Sequence, residues 1–179
     1  MNEQPAGDVR SASIELDLER FMKSLIRDLS GTLQDVVGLE EASGFVSIVG
    51  QRMGERLNNA YRASLGKDQL TREEVADVLV DLKRRIHGEF FVAEQSDEAI
   101  VYGNTACPFG ASVIGRPAMC MMTSNVFGAI AAENLGYARV ELHETIARGD
   151  AGCRVTVHLR PPAGEEPSVT GREYFRAEA

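Results

Sequence analysis

The period of the hydrophobic pattern changes near residue 88, and this change constrains the fold more than any other feature of the sequence. Before it, apolar residues recur every three or four positions, as they do on one face of an α-helix. After it, short segments are rich in β-branched and aromatic residues and alternate in polarity, as in strands with one buried face. Helices followed by neighbouring strands favour the α+β class with an antiparallel sheet.

Three amphipathic helices are predicted in the front part of the chain, residues 13–87. The second covers about residues 41–65, and Gly50 and Gly54 lie one turn apart on it, which lets another backbone approach closely. Thr71 is followed three residues later by a glutamate, which is the capping-box signature of a helix start. The third helix is therefore expected to begin there.

The rear part, residues 88–160, is predicted to have the order ββαββ. The segments "EFFVAE" and "EAIVYG" are strongly β-prone and flank a short polar turn. Ala118–Leu135 is almost entirely apolar or small, so we expect a buried central helix that ends at Gly136. "YARVELHETIA" and "CRVTVHL" are the last two strands. The expected fold is a set of N-terminal helices packed on an antiparallel four-stranded sheet.

The length of 179 residues favours a single domain. We expect it to cover residues 13–160, between flexible tails at 1–12 and 161–179. No signal peptide and no apolar run long enough to span a membrane is evident, so a cytoplasmic protein is expected. The net charge of −8 argues against direct binding to nucleic acid, which needs a concentrated basic surface.

The chain has three cysteines, Cys107, Cys120 and Cys153. Cys120 falls in the first turn of the predicted central helix, where free N–H groups and the helix dipole favour a thiolate. Cys107 lies in the turn just before that helix. Strand alternation directs Cys153 towards the interior. The three thiols are therefore predicted to converge near the start of the central helix.

Three interpretations of these thiols remain open from the residues alone. They are small buried apolar side chains, a three-thiolate metal site, or a redox switch. For the metal site we favour an iron-sulfur cluster, with zinc as the alternative, because alternation turns His143 and His158 to the opposite face of the sheet. Asn104 and Asn125 are further candidates for orienting a ligand.

The stretch "CMMTSNVFGAIAAENLGYARVELHETIARGDAGCRVTVHL" resembles the C-terminal half of vinyl-reductase-type ligand-binding domains, and more strongly the related methanogen output domain of microbial signalling proteins. The shared features are a cysteine that opens an apolar helix, a Gly-Tyr step into a strand, and "ARGDAGCRV" at the final turn. The resemblance implies helices packed on an antiparallel sheet, small-molecule binding, and metal-ligating cysteines at Cys120, Cys153 and, more loosely, Cys107. One departure is Thr145, where vinyl-reductase-type domains usually carry a further cysteine.

Two classes of function follow from these observations. The first is a sensor domain that binds a cysteine-ligated metal centre or a small molecule and passes its state to a signalling partner, such as a kinase or another regulator. A homodimer is expected in this case, because a domain without an output module must convey its state through contacts. The second is a small cysteine-dependent enzyme, a hydrolase or redox protein, that uses Cys120. We favour the sensor, since no histidine is predicted to face the thiols.

Overall fold

The computed structural model describes residues 13–162 and 171–176 of the chain. It has the α+β architecture predicted from the sequence, with three helices before the first strand. The elements in chain order are α1 (Leu18–Val37), α2 (Leu39–Leu65), α3 (Arg72–Arg85), β1 (Phe90–Gln95), β2 (Ala99–Asn104), α4 (Cys120–Leu135), β3 (Tyr137–Glu144), β4 (Cys153–His158) and β5 (Arg172–Phe175). Short 3-10 turns lie at Gly110–Val113, Pro117–Met119 and Ile146–Arg148.

The sheet is antiparallel and has five strands in the order β1-β2-β4-β3-β5. The expected number of four strands is wrong, because Arg172–Phe175 pairs with β3, and this strand falls in the segment that we expected to be a tail. Strand β5 is only four residues long, so its sequence pattern gives little signal. Its position is fixed by tertiary contacts, because Tyr174 packs on α4 and is 7% exposed. The predicted tail 1–12 lies outside the described residues, as do 163–170 and 177–179 of the second tail.

The capping box predicted at Thr71 is present. The Thr71 hydroxyl accepts a hydrogen bond from the backbone N–H of Glu74 at 3.3 Å, and the Glu74 carboxylate accepts one from the Thr71 N–H at 2.9 Å. Both bonds satisfy N–H groups that have no partner within the helix. The start of α3 is therefore encoded locally, as the sequence pattern indicated.

Helix α4 is the buried centre of the fold, packed between α2 and the sheet. The predicted close approach at Gly50 and Gly54 is confirmed. A Cβ atom added at Gly54 would lie 2.7 Å from the Cβ of Ala129, and one at Gly50 would lie 2.8 Å from the Cβ of Asn125. Both glycines of α2 therefore face α4, and side chains at these positions would push the two helices apart.

On its other side, α4 contacts the sheet through aromatic rings. The ring of Phe127 packs edge to face against Phe90 of β1 and Tyr102 of β2, with centroids 5.5 Å and 5.3 Å apart. This arrangement is favourable because the positive ring edge meets a negative ring face. Within the described residues, no helix has the length and the apolar character needed to cross a membrane.

Candidate functional site

A cavity of about 430 Å³ lies where α1, α2, the end of α3 and the start of α4 meet the sheet. Residues that line it come from all these elements, so it exists only because the helical layer packs on the strands. Most of its wall is apolar, including the side chains of Val46, Met53, Phe90, Met119, Leu142 and Val155. A cavity of this kind favours hydrophobic contents over water.

All three cysteines line this one cavity, as the predicted convergence requires, and all three are free thiols. Cys107 follows β2, Cys120 begins α4 and Cys153 begins β4. The pairing of β2 with β4 places Asn104 opposite Cys153, and the Asn104 side-chain amide donates to the sulfur of Cys153 at 3.6 Å. The sheet register thus brings two of the sequence candidates into contact.

The thiols of Cys107 and Cys120 are harder to ionise than an exposed cysteine. Burial raises the pKa of Cys107, although a backbone hydrogen bond near Phe109 and the charge of Lys83 act in the opposite direction. Burial, together with the neighbouring sulfurs of Cys153 and Cys107, raises the pKa of Cys120 to about 11. Desolvation at Cys120 therefore opposes the thiolate that its place in the first turn of α4 favours.

The arrangement does not present a ready metal site. Within residues 13–162 and 171–176, no group of three or more His, Cys, Asp or Glu side chains is arranged to hold a metal ion. Thr145, which stands where the resemblance implies a further cysteine, also lines the cavity and is 3% exposed. The raised pKa values of Cys107 and Cys120 oppose the thiolates that a metal cation needs. An iron-sulfur or zinc centre at Cys107, Cys120 and Cys153 stays a prediction.

The two strand histidines lie away from the cavity, as strand alternation predicted. His143 Nε2 is 2.9 Å from the Thr156 hydroxyl, and His158 Nε2 is 3.1 Å from a carboxylate oxygen of Glu141. Among the described residues that line the cavity, none is a histidine, an aspartate or a glutamate. Cys120 therefore has no general base of these types beside it in the cavity.

Lys83 is a cavity residue that the sequence analysis missed. It belongs to the last turn of α3, yet it is only 5% exposed. Its ammonium donates to the Thr123 hydroxyl at 2.7 Å and lies 5.2 Å and 5.4 Å from the ring centroids of Phe90 and Phe127. The available signal was its helical spacing: Lys83 follows Leu79 by four residues, so it shares the apolar face of α3.

Burial lowers the pKa of Lys83 from its ordinary value of 10.5 to about 8, and the three thiols act in the opposite direction. The side chain is thus still mostly an ammonium at neutral pH. Of the described residues in the cavity wall, Lys83 is the only one with a charged side chain type. A single cation therefore faces an otherwise apolar and neutral cavity.

The two asparagine candidates have different positions. Asn104 lines the cavity, is 3% exposed and accepts a hydrogen bond from the backbone N–H of Ala106 at 3.2 Å. Asn125 is not among the lining residues; its amide donates to the Ser47 hydroxyl at 2.9 Å and to the Met121 carbonyl at 2.7 Å. Asn125 thus joins α4 to α2, which leaves Asn104 as the candidate of the pair placed to meet a ligand.

The fold and the cavity together define an α+β domain in which helices and an antiparallel sheet enclose an apolar chamber, an architecture suited to small molecules. The family model of methanogen output domain 1 matches residues 25–158, and the chain belongs to this family. The resemblance seen in the sequence is thereby confirmed. Membership of an output-domain family indicates a regulatory or signalling role that involves a partner protein.

A solved structure with a similar fold is that of a trafficking protein particle complex subunit 3 from Naegleria fowleri, covalently bound to palmitic acid. The similarity covers 88% of this chain and 99% of that chain, with a TM-score of 0.56 and 14% sequence identity. At this identity the likeness concerns the fold. No curated protein sequence matches the chain significantly.

Proposed function

We propose that the protein is a regulatory sensor domain that binds an apolar small molecule in the cavity and passes the bound state to a partner. The observation that carries this proposal is the cavity of about 430 Å³ between the helical layer and the sheet. Its volume falls within the range of about 300 to 1,000 Å³ typical of small-molecule sites. The proposed setting is the cytoplasm, with a kinase or another regulator as the partner.

Two further observations support an apolar ligand. The cavity wall is mostly aliphatic and aromatic, which favours hydrocarbon because transfer of apolar surface out of water is favourable. The trafficking subunit of similar fold is described with a bound palmitic acid, which is a long apolar chain. That analogy concerns fold alone, so the composition of the wall is the stronger support.

Helix α1 is the element best placed to report on the ligand. Ile26 and Leu29 of α1 line the cavity, while Arg27 donates to the carbonyl groups of Ser112 and Ile114, the latter at 3.1 Å. These carbonyls belong to the turn that also carries Cys107. A ligand that presses on α1 or on this turn is therefore expected to move both together and to change the outer surface of α1.

A cavity-filling variant tests the proposal. Val155→Phe adds an aromatic ring to a lining position on β4 and is expected to weaken binding of decanol at least tenfold, as measured by calorimetric titration. Val101→Phe makes the same change at a β2 position that does not line the cavity, and it should leave binding unchanged. Circular dichroism would verify that both variants fold.

Failure of the wild-type protein to bind any alkyl compound would contradict the proposed apolar ligand. Elemental analysis of anaerobically purified protein tests the alternative occupant of the site, which is a metal centre. Stoichiometric iron or zinc that is lost in Cys153→Ser would favour the metal centre predicted from the sequence. Protein free of both metals that binds decanol would support the small molecule.

The homodimer expected from the sequence is also part of this proposal. The outer faces of α1 and α2 expose large apolar side chains, among them Leu18 (77% exposed), Phe21 (52%) and Phe45 (55%). We expect light scattering to give twice the chain mass at micromolar concentration, and Phe45→Glu to give the single chain mass, because a buried carboxylate is costly. Phe91→Glu, at an exposed position of β1, is the control. A wild-type monomer would contradict this expectation.

A further inference from the structure

The ammonium of Lys83 is buried, and none of the described residues of the cavity wall places a carboxylate beside it. Among the described lining residues there is no acidic side chain, and the ammonium contacts the Thr123 hydroxyl and the faces of Phe90 and Phe127. One of its three N–H groups is used by Thr123, so two have no hydrogen-bond acceptor among the described residues. This feature is independent of the cavity's size and apolar character.

Buried charges in proteins are normally paired, because an unpaired ion in an apolar environment is expensive. The ring faces of Phe90 and Phe127 offset only part of that cost. The thiols of Cys107 and Cys120 do not supply a full counter-charge, since burial raises the pKa of both. The site therefore has a cation to which the described part of the cavity wall gives no counter-charge.

We propose that the ligand supplies this partner: the cavity takes an amphiphilic monocarboxylate, whose head group pairs with Lys83 and whose hydrocarbon tail lies along the apolar wall. The inference rests on the proposed function and specifies its ligand class. A carboxylate accepts the two remaining N–H groups of Lys83 in charge-assisted hydrogen bonds, which are the strong kind. The tail meets lining residues of α1 and α2, such as Leu29, Val46 and Met53.

This assignment makes Lys83 the specificity-determining residue. A neutral alcohol of the same length fills the same apolar space and can accept a hydrogen bond, but it gives the ammonium no counter-charge. Binding of the acid removes that unfavourable state, whereas binding of the alcohol keeps it. The free energy that separates the two ligands is therefore expected to depend mainly on the charge of Lys83.

Calorimetric titration of the full chain with decanoic acid and with decanol tests the inference. We expect the wild-type protein to bind the acid at least tenfold more tightly than the alcohol. In Lys83→Met this preference should vanish, with weaker binding of the acid and unchanged binding of the alcohol. Lys67→Met, on an exposed lysine outside the cavity, is expected to retain the wild-type preference.

The possible outcomes separate the inference from the proposed function. Equal affinity of the wild-type protein for acid and alcohol would overturn the carboxylate assignment and leave the apolar site intact. Binding of neither would contradict the site as a whole. The wild-type comparison needs no variant, so the inference is tested even if Lys83→Met does not fold. A preference that persists in a folded Lys83→Met would equally overturn the role of Lys83.

Discussion

Replacement of Asn134 by leucine is expected to lower the free energy of unfolding by about 2 to 5 kcal/mol. Asn134 is fully buried near the end of α4. Its side-chain oxygen accepts from the backbone N–H of Leu70 at 2.9 Å, and its amide donates to the side-chain oxygen of Asn58 at 2.7 Å. Leucine leaves both of these buried groups without their partner. Urea denaturation followed by circular dichroism measures the loss.

A control variant and a double variant test whether the loss of stability comes from the buried hydrogen bonds of Asn134. Asn59→Leu introduces the same change at the exposed neighbour of Asn58 and is expected to alter stability by less than about 0.5 kcal/mol. The double variant Asn58→Leu with Asn134→Leu removes both amide partners, so its loss should be smaller than the sum of the two single losses. A small effect of Asn134→Leu alone would mean that water replaces the lost hydrogen bonds.

Replacement of Lys83 by methionine is expected to change the free energy of unfolding in the opposite direction and to raise the stability of the ligand-free protein. The pKa of Lys83 falls from 10.5 to about 8 on burial, so at neutral pH the folded state bears a cost of about 3 kcal/mol for the ammonium. Methionine has a similar length and no charge, but it gives up the bond to Thr123. We therefore expect a net gain of about 1 to 3 kcal/mol.

Thermal and urea denaturation of ligand-free protein measure this gain. Lys67→Met is the matched control, because the exposed Lys67 pairs with Glu74 at the surface, where an ion pair contributes at most about 1 kcal/mol. A loss of stability in Lys83→Met would show that the folded protein already provides a counter-charge. That result would also weaken the case for a ligand carboxylate.

Together the two substitutions distinguish a structural from a functional buried polar group. Asn134 has partners for its oxygen and its amide within the chain, so removing it should only cost stability. Lys83 has no partner of opposite charge among the lining residues that the structure describes, so removing it should help the free protein and harm recognition. Residues that reduce stability while facing a cavity are typical of binding sites.

Much of the fold was predictable because its signals are local. The capping box at Thr71, the small and apolar composition of α4 and the β-prone segments each involve residues close together in the chain. The glycines at positions 50 and 54 indicated that another backbone approaches α2 closely, and this backbone is that of α4. In contrast, β5 was missed because its four residues are stabilised by pairing with β3 and by packing of Tyr174 on α4.

The site was predictable only in part. Strand alternation correctly directed Cys153 inward and both strand histidines away, since alternation is a property of any strand. The raised pKa of Cys120 could not be foreseen, because the degree of burial depends on elements far away in sequence. Lys83 was overlooked for the same reason: a lysine in a charged stretch of helix is normally exposed.

The sequence by itself determined the class of fold, the order of helices and strands, the family, and the identity of the three thiols that line the cavity. These properties follow from periodicity, caps and short motifs, which act over a few residues. Only the tertiary structure decided that there is a cavity, that Lys83 faces it without a carboxylate, and that Asn125 serves helix packing instead. These features depend on desolvation, and desolvation is set by which distant elements cover a side chain once the chain has folded.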